Sequence, residues 1–308
     1  MNPKHAQYIE AIVEEGSFTA AARRLFISQP SLSQTVKTVE RELGTEVFER
    51  CDGRPRLTCA GQRYLETARD MMTLERNLLN EISEMKDESR GVMRIGISAQ
   101  RGISLLPQVL PEFIDRYPNV QVKLVEASSV QLEDMVEKGA CDAAFLTTLP
   151  TRNLLEYLLV ENEQIVLMAS RQTHLAARLE PGTEVELSAA AEEPFVNLTP
   201  GHSVRVIQDH LTALLNISPR VLFETHNLEA AKLVTAQVKA VMVCPYSHLQ
   251  GDVRVASLVN LYPLKCHGFE RHFYFCHLRK FVLPRYLQDL LSIARSKCRT
   301  HRLPPCGG

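Results

Sequence analysis

SFTAAARRLFISQPSLSQTVKTVEREL, residues 17–43, is the segment around which the other parts of the chain are organised. Its spacing predicts two short helices joined by a tight turn, with Ser17 as N-cap of the first and Ser28 as N-cap of the second. Pro30 suits the first turn of the second helix, where its missing N–H costs nothing. An apolar stripe at helical spacing runs along the second helix and consists of Leu32, Val36, Val39 and Leu43.

The opposite face of the second helix carries amides, hydroxyls and cations. It consists of Pro30, Gln34, Lys37, Thr38 and Arg41. These groups match base edges and phosphates in the major groove of DNA, so the pattern is typical of a helix-turn-helix. An ordinary helical hairpin with a solvated polar face has the same spacing, and the spacing alone leaves that alternative open.

A basic hairpin follows the two helices. Residues 47–48 and 56–58 are predicted strands on either side of an Asp52-Gly53 turn. The turn brings together three arginines, Arg50, Arg54 and Arg56. Arginines beside a helix-turn-helix suit phosphates or the narrow minor groove, so we interpret the hairpin as a wing.

Residues 5 to about 66 resemble the LysR-type transcriptional regulators, and the outline of that family continues to about residue 290. The matching positions are Tyr8, Glu15 to Ala21, Leu25, Ser28 to Ser33, Lys37, Glu40, Leu43, Gly44, Phe48, Arg50 and Leu57 to Gly61. The resemblance implies an α+β and α/β protein: a winged helix-turn-helix, a long linker helix and a two-lobed α/β effector domain resembling type 2 periplasmic binding proteins. It also implies a sequence-specific DNA-binding transcriptional regulator whose activity a small-molecule effector modulates.

The residues expected to contact double-stranded DNA lie on the second helix and the wing. They are Ser28, Gln29, Pro30, Ser31, Ser33, Gln34, Lys37, Thr38, Arg50, Arg54 and Arg56. The formal net charge of the whole chain is only −1. Because phosphate attraction is local under a Debye length of about 8 Å, the distribution of the cations matters more than their number. We therefore expect moderate non-specific affinity, with function depending on base contacts and on more than one half-site.

A long helix is predicted from Cys59 to Met85, capped by Thr58. Its apolar seam consists of Tyr64, Ala68, Met71, Leu74, Leu78, Ile82 and Met85. A rod of about 40 Å with so narrow a seam is expected to pair with a second copy, which gives a near-palindromic DNA site. Packing onto the chain's own C-terminal part is the alternative. The resemblance implies a homodimer or homotetramer and leaves RNA polymerase as a further candidate partner.

The sequence pattern changes after a polar hinge at residues 87–91, because strands and helices alternate from Val92 onwards. The first of these helices is predicted at residues 105–117 and the last at residues 284–295. This succession predicts two α/β lobes joined by crossing strands. We expect a DNA-binding domain at 1–58, a linker helix at 59–88 and an effector domain at 91–308. The first lobe would hold about 91–161 and 267–308, and the second about 162–266.

Polar residues follow the predicted strands, where ligands bind in such sheets. The expected effector-binding residues are Ser98, Ala99, Gln100, Ser128, Ser129, Thr147, Thr199, His202, Ser203 and Thr225. Hydroxyls that converge with helix N-termini favour a small anion such as a carboxylate. The alternative is that each Ser or Thr only caps its own helix. Residues 236–240 lack the glycines that the family often has beside the cleft, and Lys239 is expected to fill part of that corner.

Length and composition limit the other function classes. The 308 residues suit two or three compact units, and 45% hydrophobic with 23% charged residues is typical of a globular protein. The N-terminus lacks the apolar core of a signal peptide and no apolar run reaches about 20 residues, so we expect a cytoplasmic protein that does not associate with membranes. No GxSxG, P-loop, HExxH or GxGxxG motif occurs, and we expect neither a cofactor nor an enzyme. An enzyme acting on a small ligand remains the alternative from a different class.

Eight cysteines are scattered without a CxxC pair. One local cluster, Cys266-His267, His272 and Cys276-His277, has no standard zinc spacing, and a plain β-strand explains most of it. Metal binding there, and a cysteine-based redox sensor on the same fold, stay open as alternatives.

Overall fold

The computed structural model describes residues 2–51, 54–85, 90–298 and 303, and the chain forms two compact units. The first unit consists of residues 1–88 with 280–282, and the second of residues 89–279 with 283–308. Among the described helices, none has the length and hydropathy that a membrane crossing requires.

The first unit is a winged helix-turn-helix followed by a long helix, as predicted. Its elements are α1 (Pro3–Glu15), α2 (Phe18–Arg24), α3 (Gln29–Leu43), β1 (Phe48–Cys51), β2 (Arg54–Leu57) and α4 (Cys59–Met85). The two strands pair antiparallel, with Glu49 opposite Arg56. The predicted turn at 52–53 lies outside the described residues.

The core of the first unit forms where the apolar faces of α1, α3 and α4 meet. Leu32, Val36 and Val39 are buried against Ile9 and Ile12. Leu43, the last member of the predicted stripe, is instead 41% exposed, because it lies in the final turn of α3 beyond that core. The hydroxyls of Ser17 and Ser28 accept hydrogen bonds from the N–H groups of the next turn, so both predicted N-caps are present.

The second unit contains two five-stranded sheets. Its strands are β3 (Gly91–Ile97), β4 (Val120–Glu126), β5 (Ala143–Leu146), β6 (Leu155–Glu163), β7 (Ile165–Ser170), β8 (Phe195–Leu198), β9 (Val221–Thr225), β10 (Val241–Pro245), β11 (Val259–Pro263) and β12 (Arg271–Leu278). Its helices are α5 (Ala99–Arg116), α6 (Ser129–Glu137), α7 (His174–Arg178), α8 (Ser203–Leu214), α9 (Leu228–Gln237), α10 (Val253–Ala256) and α11 (Arg285–Cys298).

The strand orders are β4-β3-β5-β12-β6 in the first sheet and β11-β7-β10-β8-β9 in the second. Strands β3, β4 and β5 are parallel to one another, and so are β8, β9 and β10. Only Gln164 separates β6 from β7, so the chain leaves the first sheet there, and it returns to that sheet as β12. The two-lobed α/β fold is as predicted.

The second unit differs from the sequence prediction in several details. Helix α5 begins at Ala99, six residues before the predicted start at Leu105, because Ser98 caps it and Pro107 and Pro111 lie on its exposed side. Strands β6 and β11 and the short helices α7 and α10 were not predicted as separate elements. Helix α11 ends at Cys298 rather than at residue 295. Of the predicted hinge at 87–91, residues 87–89 lie outside the described residues.

Gly61 allows α4 to begin directly against the wing. A methyl group at this position would come 2.2 Å from the Val47 carbonyl oxygen and 2.9 Å from Leu57 Cδ2. Val47 is fixed there, because its carbonyl accepts a hydrogen bond from Thr58 N–H at 3.0 Å. The close approach therefore involves backbone that cannot move without disturbing the junction of wing and helix.

We expect Gly61→Ala to destabilise the first unit by about 1–3 kcal/mol, the usual cost of overpacking. Thermal unfolding followed by circular dichroism measures this change. Gly102→Ala in α5 is the matched control, since its added methyl group would have its nearest contact at 3.4 Å, to Leu106 Cδ1. Equal stability of Gly61→Ala and the wild type would contradict the steric account.

Candidate DNA-binding surface and effector cleft

The predicted recognition face of α3 lies at the surface of the first unit. Ser28, Gln29, Pro30, Ser31, Gln34 and Lys37 are exposed, and Ser33 and Thr38 are half-buried. Gln29 Nε2 donates to Ser33 Oγ at 2.9 Å, which holds the amide across the first turn of the helix. Among the described residues, no side-chain hydrogen bond like that of Gln29 holds the Gln34 amide or the Lys37 ammonium group. Both groups are therefore open to solvent.

The wing adds two exposed cations to this unit. Arg54 and Arg56 alternate with the half-buried Pro55 and Leu57 along β2, so both guanidinium groups lie on the same strand face. The side chain of Arg50, the third predicted wing arginine, lies outside the described residues. The arrangement offers phosphate-sized anions two guanidinium groups next to the helix-turn-helix.

A cavity of about 300 Å³ in the second unit is lined by residues from both sheets and their helices. Seven of the ten predicted effector residues line it: Ser98, Gln100, Ser128, Ser129, Thr147, His202 and Ser203. They are grouped because β3, β4 and β5 end at the same edge, where α5 and α6 begin, and because α8 begins on the facing lobe.

The other three predicted residues do not line the cavity. Ala99 is the exposed first residue of α5, and its methyl group points to solvent. Thr199 and Thr225 are joined by a backbone hydrogen bond of 3.0 Å, which extends the pairing of β8 and β9. The Thr225 hydroxyl accepts a bond from Asn227 N–H, so it closes a turn instead.

The capping alternative is also present in the cavity wall. Ser98 Oγ accepts from Arg101 N–H at 3.4 Å, and Ser128 forms a capping box with Gln131. Ser129 Oγ accepts from Thr147 N–H at 3.2 Å, which ties α6 to the end of β5. Each of these hydroxyls therefore serves the fold and lines the cavity at the same time.

The cationic part of the lining was not among the predicted site residues. Arg101, Thr148, His248, Arg271 and Phe273 also line the cavity. Arg101 could have been found, because it follows Gln100 in the first turn of the same helix. His248 and Arg271 are distant in sequence from every predicted site residue, and no local pattern marks them.

Arg101 is the centre of a buried ion cluster. Its Nη2 donates to Glu161 Oε2 at 2.5 Å, its Nη1 lies 3.3 Å from Glu163 Oε1, and its guanidinium group lies 4.0 Å from the centre of the Phe273 ring. Burial disfavours the charged guanidinium group, yet the Glu163 and Glu161 carboxylates raise the pKa of Arg101 above its usual value. The arginine is therefore charged at every physiological pH.

Glu163 joins this cluster to the second sheet. Its carboxylate pairs with Arg271 and accepts a hydrogen bond from Ser247 Oγ at 2.9 Å. Arg271 Nη2 in turn donates to Ser203 Oγ at 3.0 Å, at the start of α8. The polar contacts around the cavity thus connect residues of both lobes.

Two histidines of the lining are neutral. Burial and the Arg271 guanidinium group lower the pKa of His202 to about 4. Burial, Arg101 and Arg271 lower the pKa of His248 well below its usual value. His202 Nδ1 accepts from Val204 N–H at 3.2 Å, so in the neutral ring the hydrogen is on Nε2.

Lysines behind the cavity have different roles. Lys232 is buried, and its Nζ donates to the His248 carbonyl at 2.6 Å and lies 2.7 Å from Glu229 Oε1. It therefore fixes the backbone that carries His248. Lys239, which was expected to fill a corner of the cleft, is exposed, lies 2.7 Å from His174 Nε2 and is not part of the lining.

Comparisons with known proteins agree with this architecture. The family model for the bacterial regulatory helix-turn-helix protein, lysR family, matches residues 3–62, and that for the LysR substrate binding domain matches residues 86–299. YcgK, an uncharacterized HTH-type transcriptional regulator of Bacillus subtilis (strain 168), is 33% identical over 259 residues, which is 80% of each chain. The chain belongs to the LysR family of transcriptional regulators. The predicted family membership is confirmed.

Solved structures of LysR-type regulators share the fold. A full-length OxyR variant from Pseudomonas aeruginosa has a TM-score of 0.72 at 22% identity, covering 99% of both chains. Full-length CbnR complexed with its target DNA has a TM-score of 0.53 at 21% identity, covering 97% of this chain and 100% of the CbnR chain.

The described cysteines of this LysR-type regulator are mostly buried. Burial raises the pKa of Cys141 and Cys266 to about 11 and that of Cys244, Cys276 and Cys298 to about 12, so these thiols are poor nucleophiles. Cys276 and His277 are buried in β12, between β5 and β6. Among the described residues, no three His, Cys, Asp or Glu side chains are grouped as metal ligands.

Acid is expected to destabilise this LysR-type regulator partly through His202. An unfolded histidine takes up a proton near pH 6.5, while the folded ring does so only near its pKa of about 4, so stability falls as the pH falls between these values. The loss is at most about 1.4 kcal/mol per pH unit, and the partial exposure of the ring reduces it.

We expect His202→Asn to lose less stability on acidification than the wild type. Asparagine keeps an acceptor for Val204 N–H but has no titrating group. Urea unfolding at a series of pH values from neutral to mildly acidic measures the difference. Parallel pH profiles for the two proteins would show that His202 has no such role.

Proposed function

We propose that this LysR-type regulator is a dimer or tetramer that binds near-palindromic double-stranded DNA and responds to a small anionic effector. We assign residues 1–58 to DNA binding, 59–88 to dimerisation and 91–308 to effector binding. Since its target is the chromosome, we place its activity in the cytoplasm. The observation that carries the proposal is the unburied polar face of α3 beside the wing arginines.

The groups on that face fit the chemistry of DNA. Gln29 and Gln34 each offer an amide that can pair with an adenine edge, and Lys37 offers a cation to a guanine edge or a phosphate. Arg54 and Arg56 suit phosphates or the minor groove. Glu14 and Glu15 lie 2.6 and 3.2 Å from Arg24 Nη1, so part of the acidic charge of this unit is already paired.

Helix α4 supports self-association. Large apolar side chains remain exposed along its second half: Met71, Leu74, Leu78, Leu79, Ile82 and Met85. Leu74 is 66% exposed and Leu78 is 55% exposed, one helical turn apart. A second copy of the same helix would cover this stripe by coiled-coil packing, and its two-fold axis would place two recognition helices on one DNA site.

The cavity supports a small anionic effector. Three helices, α5, α6 and α8, begin at its wall and direct free N–H groups and positive dipole ends towards it. Hydroxyls of Ser98, Ser129 and Thr147 add donors to the same wall. An effector that binds both lobes would favour one inter-lobe arrangement and change DNA affinity by a coupling energy of about 1–3 kcal/mol.

We expect Gln34→Ala to lower affinity for the protein's own operator by about 1–3 kcal/mol, because one base contact is lost. Footprinting the DNA upstream of its own gene locates the operator, and titration of that fragment measures affinity. Gln62→Ala, which removes an exposed amide on α4, is the matched control and should bind like the wild type. Unchanged operator affinity of Gln34→Ala would remove this residue from the interface.

We expect the double variant Leu74→Glu, Leu78→Glu to be monomeric, because four buried charges would replace the apolar seam between the two helices. Sedimentation velocity measures the oligomeric state, and Glu75→Gln on the same helix is the control. Operator affinity should fall by about a hundredfold or more, since one half-site is then bound without avidity. A dimeric double variant would favour packing of α4 onto its own chain.

A further inference from the structure

Four buried nitrogen atoms on residues that line the cavity have no hydrogen-bond partner among the described residues. They are Arg101 Nε, Arg271 Nε, His248 Nδ1 and Arg101 Nη1, of which the last lies 3.3 Å from Glu163 Oε1 as an ion pair without a hydrogen bond. Arg101 and His248 are only 3% and 7% exposed, so water reaches them poorly. Buried polar atoms without a partner are unfavourable in a folded protein, and four of them on residues around one cavity indicate a ligand that supplies the missing bonds.

The charges of this group are already balanced. The two guanidinium groups, Arg101 and Arg271, are matched by the carboxylates of Glu161 and Glu163. A ligand carboxylate placed there would add a third negative charge to the group and would compete with Glu161 and Glu163 for the same donors. The carboxylate therefore belongs at the helix N-termini, and a neutral group belongs beside Arg101.

A hydroxyl group fits these nitrogen atoms better than a carbonyl group does. Arg101 Nε and Nη1 can only donate, so they require an oxygen acceptor. His248 Nδ1 donates in one neutral tautomer and accepts in the other, and a hydroxyl group satisfies both cases. A carbonyl oxygen would leave the accepting tautomer without a partner.

The cavity volume limits the size of the ligand. About 300 Å³ corresponds to the volume of roughly ten water molecules, each taking about 30 Å³ in the liquid. We propose that the effector is a small hydroxycarboxylate: its carboxylate binds at the N-termini of α5, α6 and α8, and its hydroxyl group bonds to Arg101 and His248. This inference rests on the proposed effector function and makes it chemically specific.

Isothermal titration calorimetry on the full-length protein tests the inference with matched acids. The probes are butyrate and benzoate, each compared with its three positional monohydroxy derivatives. At least one hydroxy acid should bind about tenfold or more tightly than its parent acid, because two or more unpaired donors gain a partner. Ser129→Val should weaken binding of parent and hydroxy acids alike, since it alters the carboxylate end.

His248→Leu should remove most of the preference for the hydroxy acid, measured as the ratio of the affinities of the variant for the hydroxy acid and for its parent acid. Operator binding by His248→Leu checks that this variant remains folded. If it does not fold, the wild-type series still shows whether a hydroxyl group increases affinity. Parent acids that bind with no gain from any hydroxyl position would overturn the hydroxyl assignment but keep the anionic effector. Absence of binding by every acid would overturn the hydroxyl assignment and the anionic effector together. A preference for the hydroxy acid that survives in folded His248→Leu would overturn the placement of the hydroxyl group beside His248.

Discussion

The buried contact between Arg101 and the two carboxylates Glu161 and Glu163 is the interaction on which the effector domain depends. It connects the first turn of α5 with the end of β6, at the place where the chain leaves the first sheet. Removing one member of such a cluster leaves an unpaired buried charge and costs about 3–5 kcal/mol. The cluster also sets the chemistry of the cavity, because its carboxylates balance the Arg101 and Arg271 guanidinium groups. His202 and His248 beside them are neutral mainly because they are buried.

The DNA-binding unit is held together by an apolar core instead of a buried ion cluster. Its core needs only short apolar faces on α1, α2, α3 and α4, so the opposite face of α3 is free to carry polar groups. Two serine caps and the close approach at Gly61 fix where the helices begin. Recognition therefore depends on a rigid scaffold, while the effector domain depends on a polar interior that a ligand can complete.

Sequence reasoning predicted those parts of the structure that depend on local pattern. The helix-turn-helix, the linker helix and most strands follow from periodicity, caps and turn residues. Five predicted polar residues meet in one cavity because β3, β4 and β5 end at one edge, and His202 and Ser203 join them from the facing lobe. Strand β6 was missed because its partner β12 lies more than a hundred residues away. Arg271 and His248 were missed for the same reason, since only tertiary contacts bring them to Arg101.

The position of β12 also has a consequence for synthesis of the chain. β12 lies between β5 and β6 in the first sheet, although nearly all of the second lobe precedes it in sequence. While residues 165–263 emerge from the ribosome, β5 and β6 have no strand between them and present open edges. The sheet of the second lobe can be completed as soon as β11 is synthesised. The sheet of the first lobe is completed only when β12, near the end of the chain, has been synthesised. The lobe that starts first is thus completed last, and its unpaired edges are the part of the nascent protein most exposed to aggregation.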